Sequence, residues 1–192
     1  MTHRFVETLR DHPVAADGAM GTQLYERGVL YTTNYEEICL TRPDLIKSIH
    51  KDYLRAGSQV IETNTFGANR FRLAKFNLEA RVREINEAGV RLAREAITEG
   101  ALPGATAWVA GSIGPTGLNM KSLSEKDHAE VRGAFLDQAR GLAGADVIAI
   151  ETMRQPEEMR LAIEAVKTVT DLPIIAMVSF DAFGTMADGT LP

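Results

Sequence analysis

The chain has 192 residues, 45% of them hydrophobic, with a net charge of −5 and a single cysteine. That is apolar material for one core, in one domain or in part of a larger one, and the charge lacks the basic face that nucleic acid requires. No apolar run nears the roughly 20 residues of a membrane span, the N-terminus lacks a signal-peptide core, and one cysteine excludes an internal disulfide, so a soluble cytoplasmic protein is expected.

Residues 1–12 read as a short arm or capping helix, and 13–192 as the body of the domain. Val14-Ala15-Ala16 is a first buried strand that ends at Asp17-Gly18, followed by the small-residue turn Ala19-Met20-Gly21-Thr22. Gln23 to Leu40 is a long connection with one helical turn at Leu24–Arg27. Thr41 is placed as the N-cap of the first long helix, with Pro43 in its first turn and Asp44 completing a capping pattern. Its stripe is Leu45, Ile46, Ile49, Tyr53 and Leu54, and Gly57 stops it.

Gln59-Val60-Ile61 is the second strand, ending at Glu62-Thr63-Asn64-Thr65, and a helix from Glu79 to Glu99 follows, closed by Gly100. Trp108-Val109-Ala110 is the third, ending at Gly111-Ser112, before a helix capped by Ser124 with Val131, Phe135, Ala139 and Leu142 inward. Val147-Ile148-Ala149-Ile150 is the fourth, stopping at Glu151-Thr152. Pro156 opens the next helix, whose stripe is Met159, Ala162, Ile163, Val166 and Val169. Ile174–Val178 is the fifth strand, ending at Ser179-Phe180-Asp181. Each strand is read as fully buried and as handing over to polar residues at the same end.

Strict alternation of strand and helix demands parallel strands with right-handed crossovers, as a (β/α)₈ barrel or an open doubly wound sheet. A whole barrel takes about 250 residues, so this chain is expected to hold about five strands and four helices of one, truncated. The polar strand ends form one rim. Asp17 and Glu151 can meet an amine or exchange protons, Thr63, Asn64 and Ser112 offer neutral donors and acceptors, and Gly18, Gly111 and Gly114 expose backbone. Such a set suits a small zwitterion such as an amino acid.

Other residues read as structural. The four histidines fall on arm and helix positions and are assigned to surface; Cys39 is a half-buried filler. Arg81, Arg83, Arg91 and Arg94 interleave with glutamates as a solvated helix face. No His/Cys/carboxylate group has metal-ligand spacing, and no nucleophilic triad is present.

The wording of the strand ends goes further. Asp17-Gly18-Ala19-Met20-Gly21-Thr22, Leu40-Thr41-Arg42-Pro43-Asp44, Glu62-Thr63-Asn64-Thr65-Phe66-Gly67-Ala68, Gly111-Ser112-Ile113-Gly114-Pro115 and Glu151-Thr152 resemble, in order and spacing, the homocysteine S-methyltransferase family. Leu24-Tyr25-Glu26-Arg27-Gly28-Val29 is similar to bifunctional members fused to methylenetetrahydrofolate reductase. The resemblance implies a (β/α)₈ barrel that binds homocysteine at its C-terminal rim. It also implies a zinc ion that holds the sulfur as thiolate, the nucleophile that takes a methyl group to give methionine. Zinc matters because a free thiol has a pKa of about 8.5 and is largely protonated at neutral pH. By this resemblance Asp17, Gly18 and Glu151 contact the amino-acid end of homocysteine; Thr63, Asn64 and Ser112 are added from their rim positions.

The family's zinc thiolates follow the sixth and eighth strands, and by the resemblance those positions are expected beyond Pro192. No metal ligand and no catalytic residue is therefore assigned within this chain. The methyl donor is left open among methylcobalamin, betaine, S-methylmethionine and S-adenosylmethionine, and a C-terminal reductase or cobalamin domain is a further expectation. Two other readings stand beside this one. A non-catalytic half-barrel that binds an amino acid or a partner chain would expose strand edges and form homo-oligomers unless complemented. A lyase would use Asp17 and Glu151 as acid and base.

Overall fold

The structure, a computed structural model, describes residues 3–102 and 104–192; Met1 and Thr2 of the arm lie outside it. Four strands form one parallel sheet: β1 Val60–Glu62, β2 Trp108–Ile113, β3 Val147–Met153 and β4 Ile174–Val178. The order is β1-β2-β3-β4 with every pair parallel. An open doubly wound sheet reverses direction at a switch point; this order never reverses, so the fold is the consecutive part of a (β/α)₈ barrel.

The helices are α1 Arg4–Asp11, α2 Met20–Glu26, α3 Ile38–Thr41, α4 Pro43–Arg55, α5 Arg70–Leu73, α6 Val82–Gly100, α7 Glu125–Gly141 and α8 Pro156–Val169. The four long ones, α4, α6, α7 and α8, are those expected. Ser124 caps α7 in a full capping box with Asp127, and Pro156 stands in the first turn of α8. Thr41 is not the cap of α4: it ends α3, and Arg42 holds the N-cap position without a side-chain bond. The helix expected from Glu79 begins as a 3₁₀ turn over Glu79–Arg81 and becomes α-helical at Val82. The long connection carries α2 and α3, each shorter than the 11–18-residue window in which helical periodicity shows.

The first strand expected at Val14–Ala16 is reduced to a single bridge, Ala16 with Val60. Backbone bonds still fasten it: Asp17 N–H donates to Val60 O (2.9 Å) and Gln59 N–H to Ala15 O (2.7 Å). Ala15 and Ala16 are exposed rather than buried, because among the described residues no strand lies on their other side. At the opposite edge β4 is likewise only half-buried.

Alternation along each strand splits the sheet into two faces. Ile61, Val109, Ile113, Ile148 and Ile150 face outward onto the helices and join Phe135, Leu142, Ala162 and Val166 in the main core. Burying a side chain of the size of Ile148 stabilises by about 1.5–3 kcal/mol. Val60, Trp108, Ala110, Val147 and Ala149 face inward and meet Phe5 of α1. Phe5 packs edge-on against Trp108 with ring centres 5.6 Å apart, so the arm closes the bottom of the barrel interior. Along this inward face the next residue up each strand is Glu62, Ser112 or Glu151. Apolar rows below and polar residues at the top define the site.

Two side chains depart from their expected settings. His50 is fully buried on α4, with both ring nitrogens unpartnered, and burial pushes its pKa down to about 4, so the ring is neutral. It follows Ile49 and stands one turn beyond Ile46, on the face that α4 turns inward. Cys39 is fully rather than half buried, its thiol 3.5 Å from Asn64 O.

Candidate active site

The cavity at the C-terminal ends of the strands has a volume of about 440 Å³ and brings together all six expected rim residues: Asp17, Gly18, Thr63, Asn64, Ser112 and Glu151. Glu62, Glu36, Tyr35 and Phe66 also line it. Glu62 belongs at the centre, and no role was expected for it. It had the same signal as Glu151, a carboxylate ending an apolar strand.

Asp17 Oδ2 accepts the backbone N–H of Glu62 (3.0 Å), so the first strand end is tied to the second. Ser112 Oγ donates to Glu151 Oε1 (2.6 Å), tying the third to the fourth. Burial pushes the Asp17 carboxyl up to about 7, against the bond from Glu62 N–H, and the nearby Glu151 charge adds to the rise. Glu62 is raised as well, first by burial and then by the charges of Glu151 and Asp17. Three carboxyl groups thus converge where no arginine or lysine among the described residues offsets them. Burial and like charge favour the protonated forms of Asp17 and Glu62, and an arriving cation would favour their ionised forms.

The chain at Glu151 departs from regular strand geometry. Register between β3 and β4 shifts between Ile150 and Met153, and Thr152 is left-handed at φ 58°, uncommon for a β-branched residue. The irregularity ends the apolar run and re-aims the chain at the rim, as bulges beside sites do. Gly18 fits tightly for a different reason: a Cβ there would stand 3.0 Å from Tyr53 Oη, which donates to Ala19 O (3.1 Å), so the tyrosine would have to give way.

Thr63 and Asn64 line the cavity, but the Thr63 hydroxyl and the Asn64 amide nitrogen bond within the protein. Thr63 Oγ1 is 2.6 Å from Thr65 Oγ1 and accepts Ser112 N–H (3.0 Å), while Thr65 Oγ1 donates to Ser112 O (2.8 Å). Asn64 Nδ2 donates to Tyr35 O (2.7 Å). These residues hold the loop after β1 against β2 and the α2–α3 connection. Glu36, on the cavity wall, does the same, accepting Gly67 N–H at 2.7 Å.

Among the described residues no three His, Cys, Asp or Glu side chains are placed to hold a metal ion. Burial pushes the Cys39 thiol up to about 12, so it is protonated and no metal-binding thiolate. The described residues up to Pro192 do not fit zinc. Among the described residues no helix is long and apolar enough to cross a membrane.

A family model described as homocysteine S-methyltransferase matches residues 14–192. The chain is 31% identical over 199 residues to a methionine synthase of Mycobacterium tuberculosis and 32% identical over 200 residues to one of Mycobacterium leprae. Each match covers 96% of this chain, which spans only 16% of the length of either relative. Among solved structures, the homocysteine methyltransferase MmuM of Escherichia coli superposes with a TM-score of 0.81 in its oxidized form, at 28% identity, over 96% of this chain and 69% of that one. A metallated form of the same protein gives 0.81 at 27% identity.

Proposed function

The chain belongs to the homocysteine S-methyltransferase family, and we propose that its acidic cleft binds the amino-acid end of homocysteine, whose sulfur accepts a methyl group to give methionine. The observation that carries this reading is the convergence of Asp17, Glu62 and Glu151 without a cation, at the rim of a parallel sheet. An ammonium group meets that need. It brings the missing positive charge, takes carboxylate acceptors on several sides, and lets Asp17 and Glu62 give up their protons. Ser112 holds Glu151 in place through its hydroxyl, and the Gly18–Gly21 backbone forms the facing wall for the rest of the ligand.

Methyl transfer needs the sulfur as thiolate, and zinc is the group that the family resemblance implies for that step. The described residues do not supply its ligands, so their part is to bind and orient the substrate. The half-exposed edges at Ala15–Ala16 and β4 support a barrel completed by further strands, and a cytoplasmic setting is part of the same reading.

Calorimetric titration of L-homocysteine into the purified protein tests the proposal. Glu151→Gln and Asp17→Asn keep the shape and remove the charge, and each should weaken binding about tenfold or more. Equal affinity in both variants, or no binding by the parent protein, would sink it.

A further inference from the structure

A second cavity, of about 520 Å³, adjoins the acidic cleft and shares Phe66 with it as a common wall. Its character is opposite. Arg72, Lys121 and Arg154 all line it, and among the described residues none of the three makes a salt bridge. Arg72 lies over the Phe66 ring, 5.9 Å from its centre, and Lys121 Nζ reaches only a backbone carbonyl, Asp188 O at 3.0 Å.

The two acidic residues of the lining feel the charges of Arg72 and Lys121, but their hydrogen bonds go elsewhere. Glu158 Oε1 accepts both the N–H and the hydroxyl of Thr116, at 2.7 and 2.5 Å, from a fully buried position. Asp188 Oδ1 accepts Thr190 N–H at 3.0 Å. Thr152, the left-handed residue, also lines this cavity, whereas Glu151 lines the acidic cleft. The irregular end of β3 thus presents consecutive residues to two cavities of opposite charge. Backbone strain of that kind persists where surrounding structure holds it, often at ligand sites.

We propose that this cavity is an oxyanion subsite that takes the carboxylate or phosphate group of the second substrate, the methyl donor, beside homocysteine. Three cations that make no salt bridge among the described residues are the donors such a group needs, and the volume suits a small molecule rather than a lone ion. The shared Phe66 wall sets the two ligands side by side. The assignment to the donor rests on the homocysteine reading; the oxyanion chemistry stands on the cavity itself.

The test is a titration of the protein with succinate and with inorganic phosphate, each against sodium chloride at matched ionic strength, followed by backbone amide NMR. Saturable shifts are expected at Leu118–Lys121 and Thr152–Gln155, with weaker binding by about tenfold in Arg154→Gln and Arg72→Gln. Arg154 is exposed, so its variant keeps the test clear of folding effects. Homocysteine affinity should stay within about twofold in Arg154→Gln, which touches neither the acidic cleft nor the shared Phe66 wall. Tighter succinate would assign a carboxylate donor and tighter phosphate a phosphorylated one. Shifts reproduced by sodium chloride, or unchanged in both variants, would overturn the subsite. Arginine-dependent oxyanion binding without homocysteine binding would keep the subsite and refute the reading of the acidic cleft instead.

Discussion

The two ends of the parallel sheet treat carboxylates in opposite ways. At the N-terminal end Asp146, just before β3, is held by the Arg94 guanidinium through two bonds of 2.6 and 2.8 Å and also accepts Val109 N–H at 2.7 Å. Arg94, expected on a solvated helix face, instead reaches from α6 to fasten β2 and β3 from below. At the C-terminal end Asp17, Glu62 and Glu151 meet each other and no cation, and Asp17 and Glu62 are raised by burial. A carboxylate with its cation in place serves stability; a group of carboxylates without one is held ready for something that comes and goes.

The sharpest way to break this contrast is at the bottom. Asp146→Ala removes a forked ion pair and leaves Val109 N–H and the Arg94 guanidinium without their partner. The expected loss is about 2–3 kcal/mol of folding stability, read as a lower denaturation midpoint at unchanged slope. Homocysteine affinity should be untouched. A variant as stable as the parent would mean that the paired carboxylate is not structural, and the division between the ends would fail.

Asp17 gives a smaller effect with a distinctive sign. Its folded pKa lies at about 7, above the ordinary 3.8, so between those values the folded chain holds a proton that the unfolded chain has lost. Stability contributed by this group is full below pH 4, declines as pH rises through about 7, and is flat beyond. Asp17→Asn should reduce the decline, by on the order of 1 kcal/mol because the cleft is open to water; raised Glu62 leaves a residual slope. Ligand binding should run the other way. An ammonium favours the ionised carboxylate, so affinity should rise from pH 5 to pH 7.5 with proton release on binding, detected as buffer-dependent heats. Proton uptake would contradict a cation as the ligand.

The same contrast explains what was readable from sequence. The four long helices declare themselves by apolar stripes, helped by the Ser124 cap of α7, Pro156 at the start of α8 and the glycines that end α4, α6 and α7. The strand ends declare themselves by apolar runs that stop at polar residues. The barrel itself needed the sheet order. Glu62 was visible in principle: Val60 and Glu62, Ala110 and Ser112, Ala149 and Glu151 are each two apart on one inward face, but reading the strands as buried on both sides hides that alternation. The exposure of Ala15 and Ala16, the burial of His50 and the pairing of Arg94 with Asp146 depend on neighbours distant in sequence, which local pattern does not carry. So do the internal bonds of the Thr63 hydroxyl and the Asn64 amide nitrogen, which look free for a ligand until Ser112 and Tyr35 are placed beside them.

The mildest prediction asks whether the top of the sheet is a single functional unit. Gln155 sits just before α8 and clasps the loop after β2, donating to Leu118 O and accepting Met120 N–H, both at 2.8 Å. It lines the cationic cavity and not the acidic cleft. Gln155→Ala should therefore cost only about 1 kcal/mol in stability, speed hydrogen exchange at the Met120 amide, and change homocysteine affinity less than twofold. The loop has a second anchor in Glu158, whose bonds to Thr116 survive the substitution, which is why a local loosening rather than a collapse is expected. If homocysteine binding instead fell as far as in Asp17→Asn, the loop would be shaping the acidic cleft through Phe66. The contrast would then lie between a rigid base and one cooperative rim.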